Sequence, residues 1–304
     1  MITSDAPDFG RVLTAMVTPF GDDGKIDYGS LQKLIEHLIA TGTTAIVVNG
    51  TTGESPTLDD SEKEDLLKAV VAQVSGRVRI IMGTGSNITA KSIKATAIAQ
   101  SLGAEAALVV CPYYNKPSQA GLLAHFGAIA ESTTLPIFMY NIPGRTGINM
   151  TVDTTVQLSH KYKNIYALKD STGNVEQASD IASAARPDFR IYSGDDNMTV
   201  PFLSVGACGV ISVASHVVGK QIADMIDASL RGDVDNARQA HYHLMPVFKG
   251  LFAAPNPTCV KYALSRLGLC KEHLRLPLVP LDENQKQAVD KLISIFDKVQ
   301  ACAK

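Results

Sequence analysis

Short apolar runs alternate with longer amphipathic segments along most of the chain. Each short run is rich in Val, Ile and Ala and is bounded by Gly, Pro, Asn or Asp, which predicts a β-strand. The runs show no polar alternation, so each strand is expected to be buried on both faces. Eight strands are predicted, at residues 12–18, 45–48, 80–83, 106–110, 137–140, 165–169, 190–193 and 209–213.

The intervening segments carry apolar residues at helical spacing. Residues 30–39 and 66–74 place them at positions i, i+3, i+4 and i+7, as in an amphipathic helix. Ser61, with Glu64 three residues later, and Thr151 are typical of helix N-termini. A series of strand–helix units predicts an α/β protein with a parallel sheet covered by helices. Its closed form is the (β/α)8 TIM barrel, which we predict here.

An open, doubly wound sheet is the alternative to the barrel. That fold favours a Gly-rich phosphate-binding loop after the first strand, whereas residues 19–25 read Pro-Phe-Gly-Asp-Asp-Gly-Lys. The loop after the third strand also fails as a dinucleotide fingerprint, because Ile88 replaces its third glycine.

After the eighth unit the pattern becomes entirely helical. Helices are predicted at residues 235–251, 257–267 and 283–299, separated by two proline-containing segments. We therefore divide the chain into a barrel catalytic domain, residues 1–232, and a three-helix C-terminal extension, residues 233–304, that packs on the barrel.

The composition narrows the range of functions. Charged residues make up 19% of the 304-residue chain and the formal net charge is −2, so there is no electrostatic footprint for nucleic acid or an anionic membrane. The N-terminal residues do not resemble a signal peptide, and no apolar stretch is long enough to span a membrane. We expect a cytoplasmic protein that acts on small molecules, without nucleic-acid or membrane partners.

Cysteines and histidines form no recognisable motif. The seven histidines lack metal-binding spacing, so no metal site is expected. Cys111 follows the fourth strand and is the best candidate for a reactive thiol, although cysteine is more often simply buried. Without Cys-x-x-Cys spacing, reduced thiols are expected at all five positions, Cys111, Cys208, Cys259, Cys270 and Cys302.

The sixth strand ends in a lysine, Lys169. Such a lysine either extends its ammonium group to solvent or stays desolvated at the end of the barrel. Desolvation disfavours the charged amine, and the neutral amine is a nucleophile that forms a Schiff base with a carbonyl compound. The strand alone leaves both interpretations open.

The C-terminal ends of the strands form the active site of a TIM barrel, and the segments there are rich in polar groups. Thr51 and Thr52 offer hydroxyl and amide groups suited to a carboxylate, although a plain Gly-rich turn explains this loop equally well. Tyr140 ends the fifth strand, and Arg145 follows in a Gly/Pro loop, where its planar guanidinium suits a carboxylate.

Other segments at the same end admit structural explanations. Tyr113 and Tyr114 lie in a Pro-bounded loop in which packing is commoner than catalysis. Asp195 and Asp196, after the seventh strand, are suited to helix capping as well as to substrate contact. A nucleophilic lysine, a proton-carrying tyrosine and carboxylate-binding groups nevertheless favour a class I aldolase acting on a 2-oxo acid. Its iminium is an electron sink, so the neighbouring carbon can lose a proton to give an enamine.

Several motifs, in the same order, resemble those of the pyruvate-dependent class I aldolases related to N-acetylneuraminate lyase. They are residues 50–54 (Gly-Thr-Thr-Gly-Glu), 113–115 (Tyr-Tyr-Asn), 140–147 (Tyr-Asn-Ile-Pro-Gly-Arg-Thr-Gly), the strand of Lys169 and residues 193–196 (Ser-Gly-Asp-Asp). The resemblance covers nearly the whole chain. It is strongest to members that condense pyruvate with L-aspartate 4-semialdehyde, the first committed step of diaminopimelate and lysine biosynthesis.

The resemblance implies a role for each pyruvate-binding residue. Lys169 forms a covalent imine with pyruvate, so no separate cofactor is needed. The pyruvate carboxylate lies near Thr51 and Thr52, and the backbone of Gly194 and Ile211 shapes the pocket.

The resemblance also implies a proton relay and an assembly. Tyr140, Thr51 and Tyr114 form the relay, with Tyr114 supplied by the neighbouring subunit of a tight dimer. Arg145 binds the carboxylate of aspartate 4-semialdehyde. Relatives are usually dimers of dimers, so a homotetramer is expected.

Arg145 bears on the choice among reactions. Sialic acid lyases carry a non-basic residue at the matching position, and an arginine facing a sugar would lack its partner charge. Another aldolase of the family, of the N-acetylneuraminate lyase or 2-keto-3-deoxy sugar acid type, stays open as an alternative. A non-catalytic binding barrel is a second, and such a protein is expected to lose Lys169 or Tyr140.

The resemblance has a further implication, for regulation. Lysine-inhibited relatives carry acidic and histidine side chains where this chain has Lys63 and Lys91. Two ammonium groups would repel a cationic effector, which predicts insensitivity to lysine, although Ser55, Asn87 and Tyr113 of the same pocket are retained.

Overall fold

The computed structural model describes residues 7–301, with side chains described to residue 293. Eight parallel strands, β1 to β8, close into a barrel in chain order, because β8 pairs with β1. This confirms the predicted TIM barrel. The strands are β1 Val12–Ala15, β2 Ala45–Val48, β3 Arg79–Gly83, β4 Ala106–Val110, β5 Ile137–Asn141, β6 Ile165–Asp170, β7 Arg190–Ser193 and β8 Gly209–Ser212.

Helices surround the barrel and continue past its last strand. Helices α1 to α9 follow the strands, and α10 to α12 form the C-terminal extension. Within the described residues they are α1 Tyr28–Ala40, α2 Asp60–Val74, α3 Thr89–Ser101, α4 Gln119–Glu131, α5 Pro143–Thr146, α6 Val152–Lys161, α7 Val175–Ala184, α8 Thr199–Leu203, α9 Ser215–Leu230, α10 Val234–Gly250, α11 Thr258–Arg266 and α12 Glu283–Ala301.

Helix starts follow their capping residues, with one correction to the sequence prediction. The N-cap of α2 is Asp59 rather than Ser61, and the Asp59 side chain and that of Glu62 form a reciprocal capping box. Thr151 caps α6 as predicted, since its hydroxyl accepts a hydrogen bond from the N–H of Thr154.

The barrel interior is filled by side chains, with an aromatic cluster among them. Phe138 lies at its centre, with ring centroids 5.1 Å from Phe9, 5.3 Å from Tyr166 and 5.6 Å from Tyr192. Offset and edge-on contacts of this kind are favourable beyond the area they bury. The interior is therefore a packed core and not a pore.

The C-terminal extension shares a hydrophobic core with the barrel. Leu244, Val247 and Val260 of the extension belong to the same buried cluster as Leu34 and Ile46 of the barrel, and α10 packs along α9. The proposed division after residue 232 falls in the turn before α10; the position of the division stays a prediction. Cys302 lies outside the described residues.

None of the helices in residues 7–301 combines the length and apolar character needed to cross a membrane.

His216 determines where β1 ends. The β1 strand was predicted to continue to residue 18, but the Val17 N–H donates to His216 Nε2 at 3.2 Å instead of to a neighbouring strand. The other ring nitrogen, Nδ1, donates to the Val213 carbonyl at 2.8 Å. Complete burial lowers the pKa of His216 to about 4, because a charged ring would be desolvated and its Nε2–H would face the Val17 donor.

This burial predicts a pH dependence of stability. The pKa of His216 is lower in the folded chain than the 6.5 of an exposed histidine. The contribution of the neutral His216 ring to the free energy of unfolding is therefore fully present above pH 6.5 and is lost as the pH falls through about 4. The expected loss in the free energy of unfolding is about 3 kcal/mol, measured by urea denaturation at a series of pH values.

The variant His216→Gln isolates this contribution. Glutamine can donate and accept but does not titrate, so its stability should decline less between pH 6.5 and 4 than that of the unsubstituted protein. His160→Gln, at an exposed histidine, is the matched control and should follow the unsubstituted protein. A full acid decline in His216→Gln would contradict the assignment.

Candidate active site

Lys169 and Tyr140 lie side by side at the C-terminal end of the barrel. The β5–β6 register pairs the two residues directly, and the Lys169 Nζ lies 4.2 Å from the centroid of the Tyr140 ring. Lys169 is only 6% exposed, so its amine is held within the barrel instead of extending to solvent. Within the described residues no carboxylate forms an ion pair with it.

Asp195, in the loop after β7, lies within electrostatic reach of the same amine. Burial raises the pKa of its carboxyl group, while the charge of Lys169, the Ser171 hydroxyl and the charge of Arg145 act in the opposite direction. Asp195 makes no capping hydrogen bond with its side chain, which removes the structural explanation considered from the sequence. The Ser-Gly-Asp-Asp motif was the only signal for this residue.

Asp196 has a structural role in joining two loops. Its buried carboxylate accepts hydrogen bonds from the Ser212 hydroxyl and from the N–H groups of Val213 and Ala214, at 3.1 and 2.9 Å. The loop after β7 is thereby fixed to the end of β8, next to Ile211. Burial raises the pKa of Asp196 even so.

Gly194 directly follows β7, and Ile211 lies on β8. A Cβ atom at Gly194 would lie 2.0 Å from Ser171 Oγ and 3.1 Å from the Asp170 carbonyl, so this position requires glycine. Ile211 is fully buried in the barrel interior.

The loop after β2 forms a tight turn with free amide groups. The N–H groups of Gly53 and Ser55 donate to the Gly50 carbonyl, and that of Glu54 donates to the Thr51 carbonyl. Within the described residues no acceptor is found for the N–H groups of Thr51 and Thr52. Two free neighbouring amides and the Thr51 hydroxyl make a site suited to a carboxylate.

The C-terminal extension contacts this turn at two points. Asn256 Nδ2 donates to the Thr52 hydroxyl at 2.9 Å, and Lys261 Nζ donates to Glu54 Oε1 at 2.5 Å. Both side chains of the latter pair are buried, with 0% and 1% exposed. Lys261 was not predicted as a site residue. The sequence feature that marks it is a lysine on an otherwise apolar helix face.

Two predicted residues are exposed, unlike the buried group around Lys169. Arg145, on the short helix α5, is exposed and forms no ion pair with any described residue. Tyr114 is 89% exposed, and its φ of 72° is in the left-handed region. No described residue contacts its hydroxyl by a hydrogen bond.

Cys111 does not have the properties of a nucleophile. It is fully buried, and burial raises the pKa of its thiol to about 12, so the thiolate is scarce. Among the described residues, no three His, Cys, Asp or Glu side chains lie close enough together to hold a metal ion.

The sequence matches the Dihydrodipicolinate synthetase family over residues 8–296. The chain belongs to this family.

Relatives in the Dihydrodipicolinate synthetase family are similar over their full lengths. A 4-hydroxy-tetrahydrodipicolinate synthase from Thermosynechococcus vestitus is 52% identical over 95% of this chain and 97% of its own. The crystal structure of a dihydrodipicolinate synthase from Bacillus anthracis superimposes with a TM-score of 0.92 at 48% identity, over 97% of this chain and 99% of its own. A third relative, from Cyanidioschyzon merolae, was crystallised with lysine bound and has a TM-score of 0.93 at 45% identity, over 95% and 98% of the two chains.

Proposed function

We propose that this protein is a lyase of the class I aldolase type that condenses pyruvate with L-aspartate 4-semialdehyde to give 4-hydroxy-tetrahydrodipicolinate. The observation that carries the proposal is the buried amine of Lys169 beside the Tyr140 ring, at the end of a barrel whose family members carry out this reaction. The reaction is the entry step to diaminopimelate and lysine.

The first step is formation of an imine. The neutral amine of Lys169 attacks the keto carbon of pyruvate and water leaves, so that a C=N bond replaces C=O. The pyruvate carboxylate binds the free N–H groups of Thr51 and Thr52. Gly194 leaves room for the pyruvate moiety, and Ile211 forms an apolar wall that limits access of water.

Proton transfer converts the imine into a nucleophile. The methyl carbon of pyruvate loses a proton, and the electron pair moves into the C=N system to give an enamine. Tyr140 lies next to Lys169 and is placed to carry protons to and from this centre. Thr51 and Tyr114 extend the relay towards solvent.

The enamine then forms the new carbon–carbon bond. Its methylene carbon attacks the aldehyde carbon of the semialdehyde, whose oxygen takes up a proton. Arg145 binds the second substrate's carboxylate, for which its exposed and unpaired guanidinium is available. The amino group of the adduct attacks the imine carbon, closes the ring and releases Lys169 as the free amine, so one water is released overall.

Substrate comparison tests this proposal. With pyruvate fixed, turnover is expected with aspartate 4-semialdehyde and not with N-acetylmannosamine. Borohydride reduction with pyruvate should add mass to the peptide carrying Lys169, and Lys169→Met should abolish both the adduct and at least about 99.9% of the activity.

Each contrary outcome has a defined meaning. Turnover with the sugar alone would reject the assignment of Arg145 and favour the sugar-lyase alternative. Absence of a borohydride adduct in the unsubstituted protein would favour a barrel that binds without catalysis. Lys271→Met, at an exposed lysine of the extension, is the control and should retain both activity and adduct.

The proposed assembly is a homo-oligomer in which Tyr114 enters the neighbouring subunit's site. Tyr114 is 89% exposed, and its hydroxyl forms no hydrogen bond with a described residue. A large aromatic ring held in a strained, exposed loop gains burial when a second copy covers it. A tetramer built as a dimer of dimers is the expected form.

Mixed subunits test the role of Tyr114. Tyr114→Phe and Lys169→Ala should each be inactive or nearly so. Unfolding and refolding the two together should restore activity, because hybrid dimers contain one site with both Lys169 and Tyr114. The expected maximum is about a quarter of the unsubstituted activity, since half the dimers are hybrid and each has one intact site. No recovery above either variant alone would place Tyr114 in its own subunit's site.

Insensitivity to lysine is the expected regulatory property. Lys91 is exposed, and Lys63 has only a long ion pair, at 3.6 Å, with Asp60. Two ammonium groups near one pocket oppose binding of a cationic amino acid. Steady-state rates should be unchanged by lysine up to about 1 mM, whereas Lys63→His/Lys91→Glu should gain inhibition. Inhibition of the unsubstituted enzyme below that concentration would reject the prediction.

A further inference from the structure

The buried ion pair between Lys261 and Glu54 joins the C-terminal extension to the turn proposed to bind pyruvate. Lys261 lies on α11, and Glu54 ends the Gly-Thr-Thr-Gly-Glu motif. The two side chains are 0% and 1% exposed, with Nζ and Oε1 2.5 Å apart. They are 207 positions apart along the chain, so the contact exists only when the extension is docked.

The polar groups of the pair are well satisfied. Glu54 Oε2 accepts from the backbone N–H of Arg275 at 3.0 Å, and Lys261 Nζ also donates to the His273 carbonyl at 2.9 Å. The same ammonium lies 4.1 Å from the centroid of the Phe20 ring. Burial lowers the pKa of Lys261, and the charge of Glu54 opposes that shift.

Glu54 also determines the backbone of the turn. Its φ of 55° and ψ of 36° are left-handed, a conformation that is unfavourable for a non-glycine residue. The Glu54 N–H closes the turn onto the Thr51 carbonyl, and the Glu54 carbonyl accepts from the N–H and the hydroxyl of Thr57. Holding the Glu54 side chain therefore holds the backbone that presents the amides of Thr51 and Thr52.

A stabilising role alone does not explain the pair. Replacing a buried ion pair by apolar groups of similar volume is often neutral or stabilising, because both charges must be desolvated. Charged groups with fixed partners do, however, specify a single geometry. The pair lies directly behind a turn whose two amides must be aligned on one carboxylate.

We propose that Lys261 is a positioning residue for the pyruvate subsite, acting through Glu54 to fix the turn from Thr51 to Glu54. This inference rests on the proposed function. It assigns to the C-terminal extension a part in binding the first substrate, although none of its described side chains has been placed in the reaction.

The test is a paired substitution. Lys261→Met or Glu54→Gln alone leaves a charge unpaired in the core and is expected to destabilise the protein strongly. The double variant Glu54→Gln/Lys261→Met removes both charges with similar volumes and should remain folded. Its KM for pyruvate should rise by about 10- to 100-fold, because a small misplacement of binding groups is costly.

Two readouts separate positioning from general damage. The KM for aspartate 4-semialdehyde should change by less than about threefold, since Arg145 lies on another loop. Borohydride trapping of pyruvate on Lys169 should slow at low pyruvate and recover at saturating pyruvate. The matched control, Asp22→Asn/Lys271→Met, removes an exposed ion pair between the barrel and the extension and should leave all three values unchanged.

Lys261→Arg provides a variant that keeps the charge. This variant should fold, because the positive charge opposite Glu54 is retained. Its KM for pyruvate should rise less than that of the double variant, because arginine differs from lysine in length and shape, and its KM for aspartate 4-semialdehyde should not rise. An unchanged KM for pyruvate in both Lys261→Arg and the double variant would overturn the inference, as would equal rises for both substrates. Absence of the Lys169 adduct in the unsubstituted protein would instead reject the proposed function, and this inference with it.

Discussion

Closure of β8 onto β1 is the constraint on which the remaining structure depends. A closed parallel sheet has no free edge, and its interior is filled by side chains such as Phe138 and Ile211. Polar groups are therefore confined to positions where a partner is available or where the strand leaves the barrel. Lys169 lies at such a position, since it is the penultimate residue of β6.

Buried charged residues with a structural role differ from the proposed catalytic lysine in the partners that they have. Asp196 accepts three hydrogen bonds, and Lys261 and Glu54 neutralise each other. Lys169 is also buried, but it forms no ion pair within the described residues: the Tyr140 ring lies beside its amine, and the Asp195 carboxyl group lies within electrostatic reach. The proposed reaction requires an amine of this kind, one that is held inside the barrel and not bound in an ion pair.

The periodicity of apolar residues predicted most of the strands and the fold. One prediction that was wrong, the end of β1, depends on a contact between residues far apart in the sequence. Strands β2, β4 and β7 match their predicted bounds, because apolar runs between turn residues record local burial. The end of β1 was predicted wrongly, since it depends on the ring of His216, 199 positions away from Val17. The capping error at Ser61 was local: Asp59 also fits the pattern, with Glu62 three residues later.

In the candidate site, too, some residues could be located from the sequence and others could not. Lys169, Tyr140, Thr51 and Thr52 could be located from strand ends alone, because every strand of a parallel barrel ends on the same face. Asp195 could not be assigned, since its environment is created by Lys169 of β6, Ser171 after β6 and Arg145 of α5, all distant in sequence or on other elements. Lys261 has no sequence signal that pairs it with Glu54. The roles given to such residues came from the resemblance to a known family, because the hydrophobic pattern does not predict which side chains lie next to one another in the fold.

The exposure of Tyr114 argues that the site is divided between two chains. The buried group contains the proposed nucleophile, an adjacent phenol and a turn suited to a carboxylate, all held by the barrel and its extension. Tyr114 and Arg145 are instead exposed on loops, where the second substrate must enter. In the proposed mechanism, rigid elements hold the groups that react with pyruvate, while the entrance depends on exposed groups that gain partners from substrate or from another subunit. If Tyr114 completes the proton relay of the neighbouring subunit, as proposed, assembly and catalysis are coupled in this barrel.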